Sequence, residues 1–290
     1  MRLWQGLKAV MYRAGMVILR FLWYVNGGRR IIVFGEDYRL VPETIFPSYR
    51  KFKLPRGRSL SEIVRYADYV QFHVIVNYIE QLKDKPIVVD IGAHHGAYAV
   101  VLGKIVRQWG GKVLAVEPNP ESYRVLSRNI QLNGLEEIVI CKNVAVSDKN
   151  GSMYISELGV QSKITQEPLG QGYRVDVVTM ESLLKNNAID HIHILIIDVE
   201  GAELPVLQSL PWKRMAVDKI FCELHPYAWK DFGYTGDDVR YFLAEHGYRC
   251  FDMYFKEHTT FDSDSYIGPI LFVHETMTGT NTDFHQQGNR

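Results

Sequence analysis

Cysteine is scarce: Cys141, Cys222 and Cys250 are the only three in 290 residues. They are too few and too scattered for a disulfide framework or a Cys-based zinc site, so buried thiols in a reducing compartment are expected. An excess of charge of one sign is missing as well, with 33 Lys and Arg against 33 Asp and Glu, and no nucleic-acid partner is expected. Internal repeats and low-complexity tracts are absent. So is any uninterrupted apolar run of the ~18 to 20 residues that a membrane-spanning helix needs. What remains, 47% hydrophobic and 23% charged residues, is the composition of a compact globular protein with little long disorder. The length suits one large domain, or one domain with an appendage.

The zero net charge hides an uneven distribution. From Arg2 to Arg58 a dozen Lys and Arg face only Glu36, Asp37 and Glu43, so the remainder is acidic. In "MRLWQGLKAVMYRAGMVILRFLWYVNGGRR" the apolar stretches are broken by Arg13 and Arg20, and no small-residue cleavage site follows, which argues against a signal peptide; "NGGRR" reads as a loop. On a helix of roughly 100° per residue, Arg2, Arg13 and Arg20 share one line while Trp4, Leu7 and Met11 take other faces. This is a basic amphipathic helix. It is expected to pack on its own domain or a partner, with peripheral membrane contact through residues 1–25 as the alternative.

From Lys85 the pattern becomes an alternation of strands and helices. "PIVVDIG", "GKVLAVEP", "IVICKN", "HIHILIID" and "KIFCELH" are apolar, β-branched runs of strand length. Helices are expected over 98–109, over 120–133 ending at "NG", over 180–186, after Glu203 and over 237–245. Strands follow over 248–255 and in "IGPILFVHE". Continuous apolar strands joined by crossover helices mean a doubly wound, mostly parallel α/β sheet. Between 144 and 178, "KNG", "SMYIS" and "YRVDVV" suggest a β-hairpin with a flexible polar loop. Three segments result: an N-terminal basic helical extension over 1–84, a main domain over 85–275, and a polar, disordered tail over 276–290. The extension contains a strand-like preface and a helix capped by Ser59 or Ser61. It could cover an acceptor site, with Tyr66, Tyr69 and His73 lining it.

Ligands of such sheets bind outside the carboxyl ends of the strands, and the first loop there is "DIGAHHGAY". Gly92 and Gly96 let backbone approach a ligand and turn into a helix. The spacing is D-x-G-x-x-x-G, with His94 where a dinucleotide-binding loop needs its second glycine, which argues against NAD and FAD. Adjacent His94 and His95 side chains are expected to diverge, so they are not read as half of a metal site. Glu117 ends the second strand, placed to accept hydrogen bonds from ribose hydroxyls. Glycine loop and strand-end acid together favour an adenosine-type cofactor. Asp198 ends the fourth strand and points into the same crevice, whereas Glu203 reads as an acid that answers a helix dipole. Glu223 and His225, two apart, share a face as the last parallel strand ends.

These residues carry a resemblance. "VVDIGAHHGAY", "VEPNPESYRVLSRNI", "NVAVSDKNG", "IIDVEGAELPVLQSL" and "CELH" resemble the FkbM family of S-adenosylmethionine-dependent methyltransferases over residues 85–255. The resemblance implies the class I methyltransferase fold, a seven-stranded Rossmann-like sheet with an antiparallel last strand. It also implies S-adenosylmethionine as cofactor and O-methylation of a hydroxyl on a sugar, glycan or natural-product acceptor. On this reading Asp90 and Gly92 serve the cofactor's amino-acid end, Glu117 the ribose and Asp148 the adenine side, with His94, Gly96, Asn119 and Asp198 as further cofactor contacts. Two positions depart from the family pattern: His94 stands where Asn is usual, and Ile196 where Lys is usual.

Methylating an alcohol calls for a proton acceptor. His225 is the expected base because imidazole titrates near neutral pH, with Asp198 positioning base or cofactor and Glu200 as a further candidate. A variant in which Asp198, Glu200, Glu223 and His225 hold a metal is weighed, but a metal-free site is the expectation. His191 and His193 sit at ligand-like spacing, yet at the wrong end of their strand. The rival class is a non-catalytic methyltransferase-like scaffold that binds a nucleotide or a membrane surface. Cytoplasmic location, peripheral at most to the membrane, goes with either.

Overall fold

A computed structural model describes residues 29–33, 36–41, 60–158, 161–165, 172–253, 255–258 and 268–278. Strands β1 (Arg29–Val33) and β2 (Glu36–Leu40) form an antiparallel hairpin. Arg29 and Arg30, read above as loop, therefore belong to a strand. Asn129 and Asn133 fasten this hairpin, their side-chain oxygens accepting from Val41 N at 2.8 Å and Arg39 N at 3.0 Å. Helix α1 (Leu60–Leu82) follows; Ser61 lies within it, and Ser59 falls outside the described residues.

The main unit runs β3 (Ile87–Ile91), α2 (Ala97–Arg107), β4 (Lys112–Val116), α3 (Pro120–Leu132) and β5 (Val139–Lys142). A side sheet comes next, built from β6 (Ala145–Val146), β7 (Gly151–Leu158), β8 (Gln161–Thr165) and β9 (Gly172–Val178) in the order β6-β9-β7-β8. The expected hairpin is present as β7 and β9. Part of the expected polar loop, "QSKIT", is instead an edge strand paired antiparallel to β7. The chain continues through α4 (Met180–Asn186), β10 (His191–Ile197), α5 (Glu203–Gln208), β11 (Ala216–Leu224), α6 (Pro226–Phe232), α7 (Gly236–Glu245), β12 (Tyr248–Phe251) and β13 (Gly268–His274).

The principal sheet has seven strands in the order β12-β13-β11-β10-β3-β4-β5. β10 pairs parallel with β11 and β3, and β4 pairs parallel with β3 and β5, while β13 inserts antiparallel between β11 and β12. This is the mostly parallel sheet with an antiparallel last strand that the resemblance implied. Strand order reverses between β3 and β10, so their carboxyl ends open the crevice in which such sheets take ligands.

Alternation along the strands divides the core. Val88, Ile194, Ile196 and Phe221 face one layer with Phe72, Ile75 and Ile79 of α1 and Val101 and Ile105 of α2. Val89, Ile91, Leu195 and Ile197 face the other with α4, α5 and α7. Continuous apolar strands are thus explained by cover on both faces. Asp90 breaks the run on the α1 side, beside Ile196 in register. Among the described residues no helix is long and apolar enough to cross a membrane. The basic segment 1–25, and with it the alternative of peripheral membrane contact, lies outside the described residues, as do residues 279–290 of the expected tail; its first residues, 276–278, are not disordered but belong to a short helix, Glu275–Thr278.

Candidate active site

The loop after β3 is pinned from both sides. Gly92 N and Ala93 N each donate to Val116 O at 2.9 Å, and Asp198 N donates to Ile91 O at 2.9 Å. Gly92 has φ +91°, and a Cβ there would stand 1.8 Å from the carbonyl oxygen of Asp198. Only a residue without a side chain fits between these strand ends. Gly96, φ +80°, starts α2; a Cβ on it would meet Leu126 Cδ1 at 2.5 Å, so its bareness serves the approach of α2 to α3.

His94 lies at φ 46°, in the left-handed region that Asn and His enter more readily than most residues. The geometry therefore accounts for His where the family pattern has Asn. The His94 and His95 rings do not diverge as expected but stack, centroids 3.9 Å apart. Burial lowers both ring pKa values, that of His95 to about 4 with His94 contributing. Both rings are neutral near pH 7.

Glu117 is almost wholly enclosed, accepting from His94 N through Oε2 and from Asn119 N through Oε1, both at 2.8 Å. Burial pushes its carboxyl up to about 7 against the pull of these two bonds. Asn119 spends its side-chain oxygen as the N-cap of α3, on Glu121 N and Ser122 N. Its backbone N–H, not its side chain, is what holds Glu117. Asp148 is exposed and accepts from Ser147 Oγ at 3.2 Å. It does not line the crevice, whose corresponding wall is made by Val144, Ala145, Val146 and Ile155.

Two cavities meet here. One of about 880 Å³ lies between Glu117, Val146, Ile155 and Glu200. The other, of about 670 Å³, opens on the α1 face between Gln71, Asp90, Tyr98, Ile196 and Glu223. Gly92, His94 and Asp198 line both. Of the extension, Gln71 lines the second cavity; His73 is not in the lining, and the side chains of Tyr66 and Tyr69 lie outside the described residues. Asp90 is 2% exposed and its Oδ2 has no hydrogen-bond partner. Burial, then the charges of Asp198 and Glu117, push its carboxyl up to about 8.

Beyond Asp198 the chain turns sharply, with Glu200 at φ 50°, and delivers Glu203 to the start of α5. Glu203 is fully buried. It is not the surface dipole acid expected from sequence but an anchor, accepting from His225 Nδ1 at 2.6 Å, Trp229 Nε1 at 3.0 Å, Tyr234 OH at 2.7 Å and Gly201 N at 3.1 Å. Burial opposes its charge, yet these bonds, led by that of His225, hold its pKa below the usual value. His225 precedes Pro226 at the N-terminus of α6. With Nδ1 fixed on Glu203, its Nε2 faces Asp198 Oδ1 at 3.5 Å and Glu200 Oε2 at 3.9 Å. Tyr227 OH donates to Glu200 Oε2. Burial alone would lower the His225 pKa; the Glu203 bond and the charges of Asp198, Glu203 and Glu200 raise it to about 9. Desolvation raises Asp198, with His225 opposing. Of the four residues weighed as one set, Asp198, Glu200 and His225 converge, while Glu223 lines the second cavity.

A family model, the methyltransferase FkbM domain, matches residues 90–250. The chain belongs to this family. The match thus runs from the end of β3 into β12 and takes in every residue of the loop, crevice and acid cluster except Gln71. Over 165 residues it is 27% identical to the methyltransferase sdnD of Sordaria araneosa, a match covering 46% of this chain and 63% of that protein. Among solved structures it is similar to methyltransferase FkbM from Methylobacillus flagellatus KT, at 15% identity and TM-score 0.42, over 66% of this chain and 44% of that one. It is also similar to the O-methyltransferase from Bacillus cereus solved in complex with SAH, at 15% identity and TM-score 0.41, over 76% and 84% of the two chains. The chain spans less than two thirds of the length of sdnD and of the Methylobacillus protein.

Proposed function

We propose that this FkbM domain transfers a methyl group from S-adenosylmethionine to a hydroxyl of a sugar, glycan or natural-product acceptor. The observation that carries the reading is the shared wall: Gly92, His94 and Asp198 separate a crevice ending at Glu117 from a cavity ending at Asp90 and Glu223. The chain's own residues suit the cofactor. The side-chain-free approach at Gly92 leaves backbone exposed to a ligand, Glu117 keeps lone pairs beyond those given to His94 and Asn119, and the unpartnered Asp90 carboxyl meets the need of an ammonium group. Val144, Val146 and Ile155 offer an apolar wall to a flat ring.

When bound, that cofactor supplies an electrophilic methyl carbon. The protein's part is to align the acceptor and remove a proton. Asp198 and Glu200 present carboxylate oxygens at the edge of the crevice, and His225 stands behind them with its orientation fixed by Glu203. Gln71 of α1 contributes to the lining of the α1-side cavity.

The rival reading, binding without catalysis, draws on Ile196, which leaves Asp90 without the ammonium that Lys would place beside it in register. Calorimetric titration with S-adenosylmethionine and transfer of labelled methyl to a carbohydrate and polyol panel separate the two. Binding with transfer is expected, and Glu117→Ala is expected to weaken cofactor binding at least tenfold. Absence of binding sinks the proposal; tight binding with no transfer to hydroxyl acceptors supports the rival.

A further inference from the structure

Among the described residues two clusters bring three metal-ligand atoms within 4.8 Å of one another: His191, His193 and Asp218, and Asp198, Glu200 and His225. Hydrogen bonding decides between them. In the first, His193 Nδ1 accepts from Ile87 N at 3.0 Å, so a neutral ring carries its proton on Nε2 and has no lone pair left. His191 Nε2 is joined to Asp218 Oδ1 at 2.8 Å, and Asp218 Oδ2 takes the Tyr78 hydroxyl at 3.0 Å. His193 therefore offers nothing to an ion, and the two residues left, His191 and Asp218, are already bound to each other.

The second cluster is the reverse. Glu203, fully buried, is a carboxylate that can only accept, so the 2.6 Å contact is His225 Nδ1–H donating. That places the lone pair of the neutral ring on Nε2. The atom makes no hydrogen bond of 3.5 Å or less in good geometry, although its residue is only 4% exposed. It points between two carboxylate oxygens that equally have lone pairs to offer. Three acceptors turned toward one another need a cation among them: either a proton on Nε2 or a metal ion.

We propose that Asp198, Glu200 and His225 form a binding site for one divalent cation that accepts both nitrogen and oxygen, such as Mn²⁺ or Zn²⁺. The support is that of a built metal site, in which a buried carboxylate orients the ligating histidine and a further hydroxyl holds a ligating carboxylate. Glu203 does the first and Tyr227 the second. Mixed imidazole and carboxylate ligation selects such ions over Ca²⁺, which takes oxygen alone. Binding replaces the Nε2 proton, which leaves to solvent. Three protein ligands leave coordination positions free toward the crevice. There, on the methyl-transfer reading on which this last point rests, a bound acceptor hydroxyl loses its proton more readily.

The test measures binding, without turnover. The full chain is stripped with EDTA, dialysed and titrated with MnCl2, with free Mn²⁺ followed by electron paramagnetic resonance. S-adenosylmethionine binding is measured separately on the metal-free chain. One Mn²⁺ per chain is expected, with affinity at least tenfold lower in both His225→Gln and Asp198→Asn and unchanged in His191→Ala. Circular dichroism establishes that each variant is folded, and a shift of Cd²⁺ or Zn²⁺ competition in the same direction serves where one variant is not. No binding by the folded wild type, or binding that both crevice variants leave intact, overturns the site. Cation binding without cofactor binding leaves the site standing and removes the methyltransferase reading; the converse does the opposite.

Discussion

Gly92→Ala is expected to remove cofactor binding and to destabilise the fold by about 3 kcal/mol or more, the upper range for a single substitution. Two effects add. At φ +91° an L side chain is strained, by roughly 1 to 2 kcal/mol. Its Cβ would also stand 1.8 Å from the carbonyl oxygen of Asp198 and 2.8 Å from the carbonyl carbon, both backbone atoms. Neither side can yield cheaply. Gly92 N is held by Val116 O, and Asp198 N by Ile91 O, so relief means prising β3 from β10 where the crevice opens. Urea unfolding and calorimetry with S-adenosylmethionine measure the two consequences. A variant that unfolds within a few tenths of a kcal/mol of wild type and still binds would refute this account of the loop.

Asp90→Asn is expected to do the opposite to stability. Burial and the neighbouring carboxylates push Asp90 up to about 8 in the folded protein, against 3.8 for an ordinary aspartate. Between those values the native state holds a proton that the unfolded chain has released. Stability therefore falls as pH rises through this window, by up to ~1.4 kcal/mol per unit, and the loss is complete above the folded value. Glu117, raised to about 7, adds a slope of the same sign. The groups that face Asp90 are Asp198 and Glu117, with Glu223, His95 and Cys141 nearby, and among the described residues no Lys or Arg lines its cavity. Asparagine cannot ionise, so the variant should lose the Asp90 share of the decline between pH 5 and pH 8, up to ~1.4 kcal/mol per unit, while Glu117 and the raised His225 keep theirs. It should be a few kcal/mol more stable than wild type at pH 8, yet bind S-adenosylmethionine more weakly, since an ammonium group gains from an anion and not from an amide. Ile196→Lys, which restores a cation in register, should likewise flatten the pH dependence. Thermal melts across that range check both, and a wild-type decline that survives Asp90→Asn unchanged would count against the assignment.

The sheet was legible because its strands are buried on both faces and therefore read as continuous apolar runs. β8 was not, since "QSKIT" is a polar edge strand that acquires its conformation from pairing with β7. Helix α6 did carry a signal that went unread: Pro226 at its first turn and Gly233 just past its end, a start and a stop seven residues apart. Within the site, Gly92, Glu117 and Asp198 declared themselves by sitting at strand ends in consecutive units. Glu203 did not. Its sequence context is that of any acid opening a helix, and only the arrival of His225, Trp229 and Tyr234 from 22 to 31 residues away turns it inward. Gln71 and Tyr98 were equally hidden, because their common cavity exists only once α1 lies over α2. The stacked His94 and His95 show the limit of spacing rules: neighbours diverge in a strand, but not in a loop that enters the left-handed region at His94.

The three residues common to both cavities have a consequence for how ligands behave. Any displacement of Gly92, His94 or Asp198 by an occupant of one chamber alters the lining met by the other. Binding free energies coupled in this way are reciprocal: the factor by which cofactor changes acceptor affinity must equal the factor by which acceptor changes cofactor affinity. Ternary equilibria at this wall are therefore described by a single coupling constant, and one measured in either direction fixes the other.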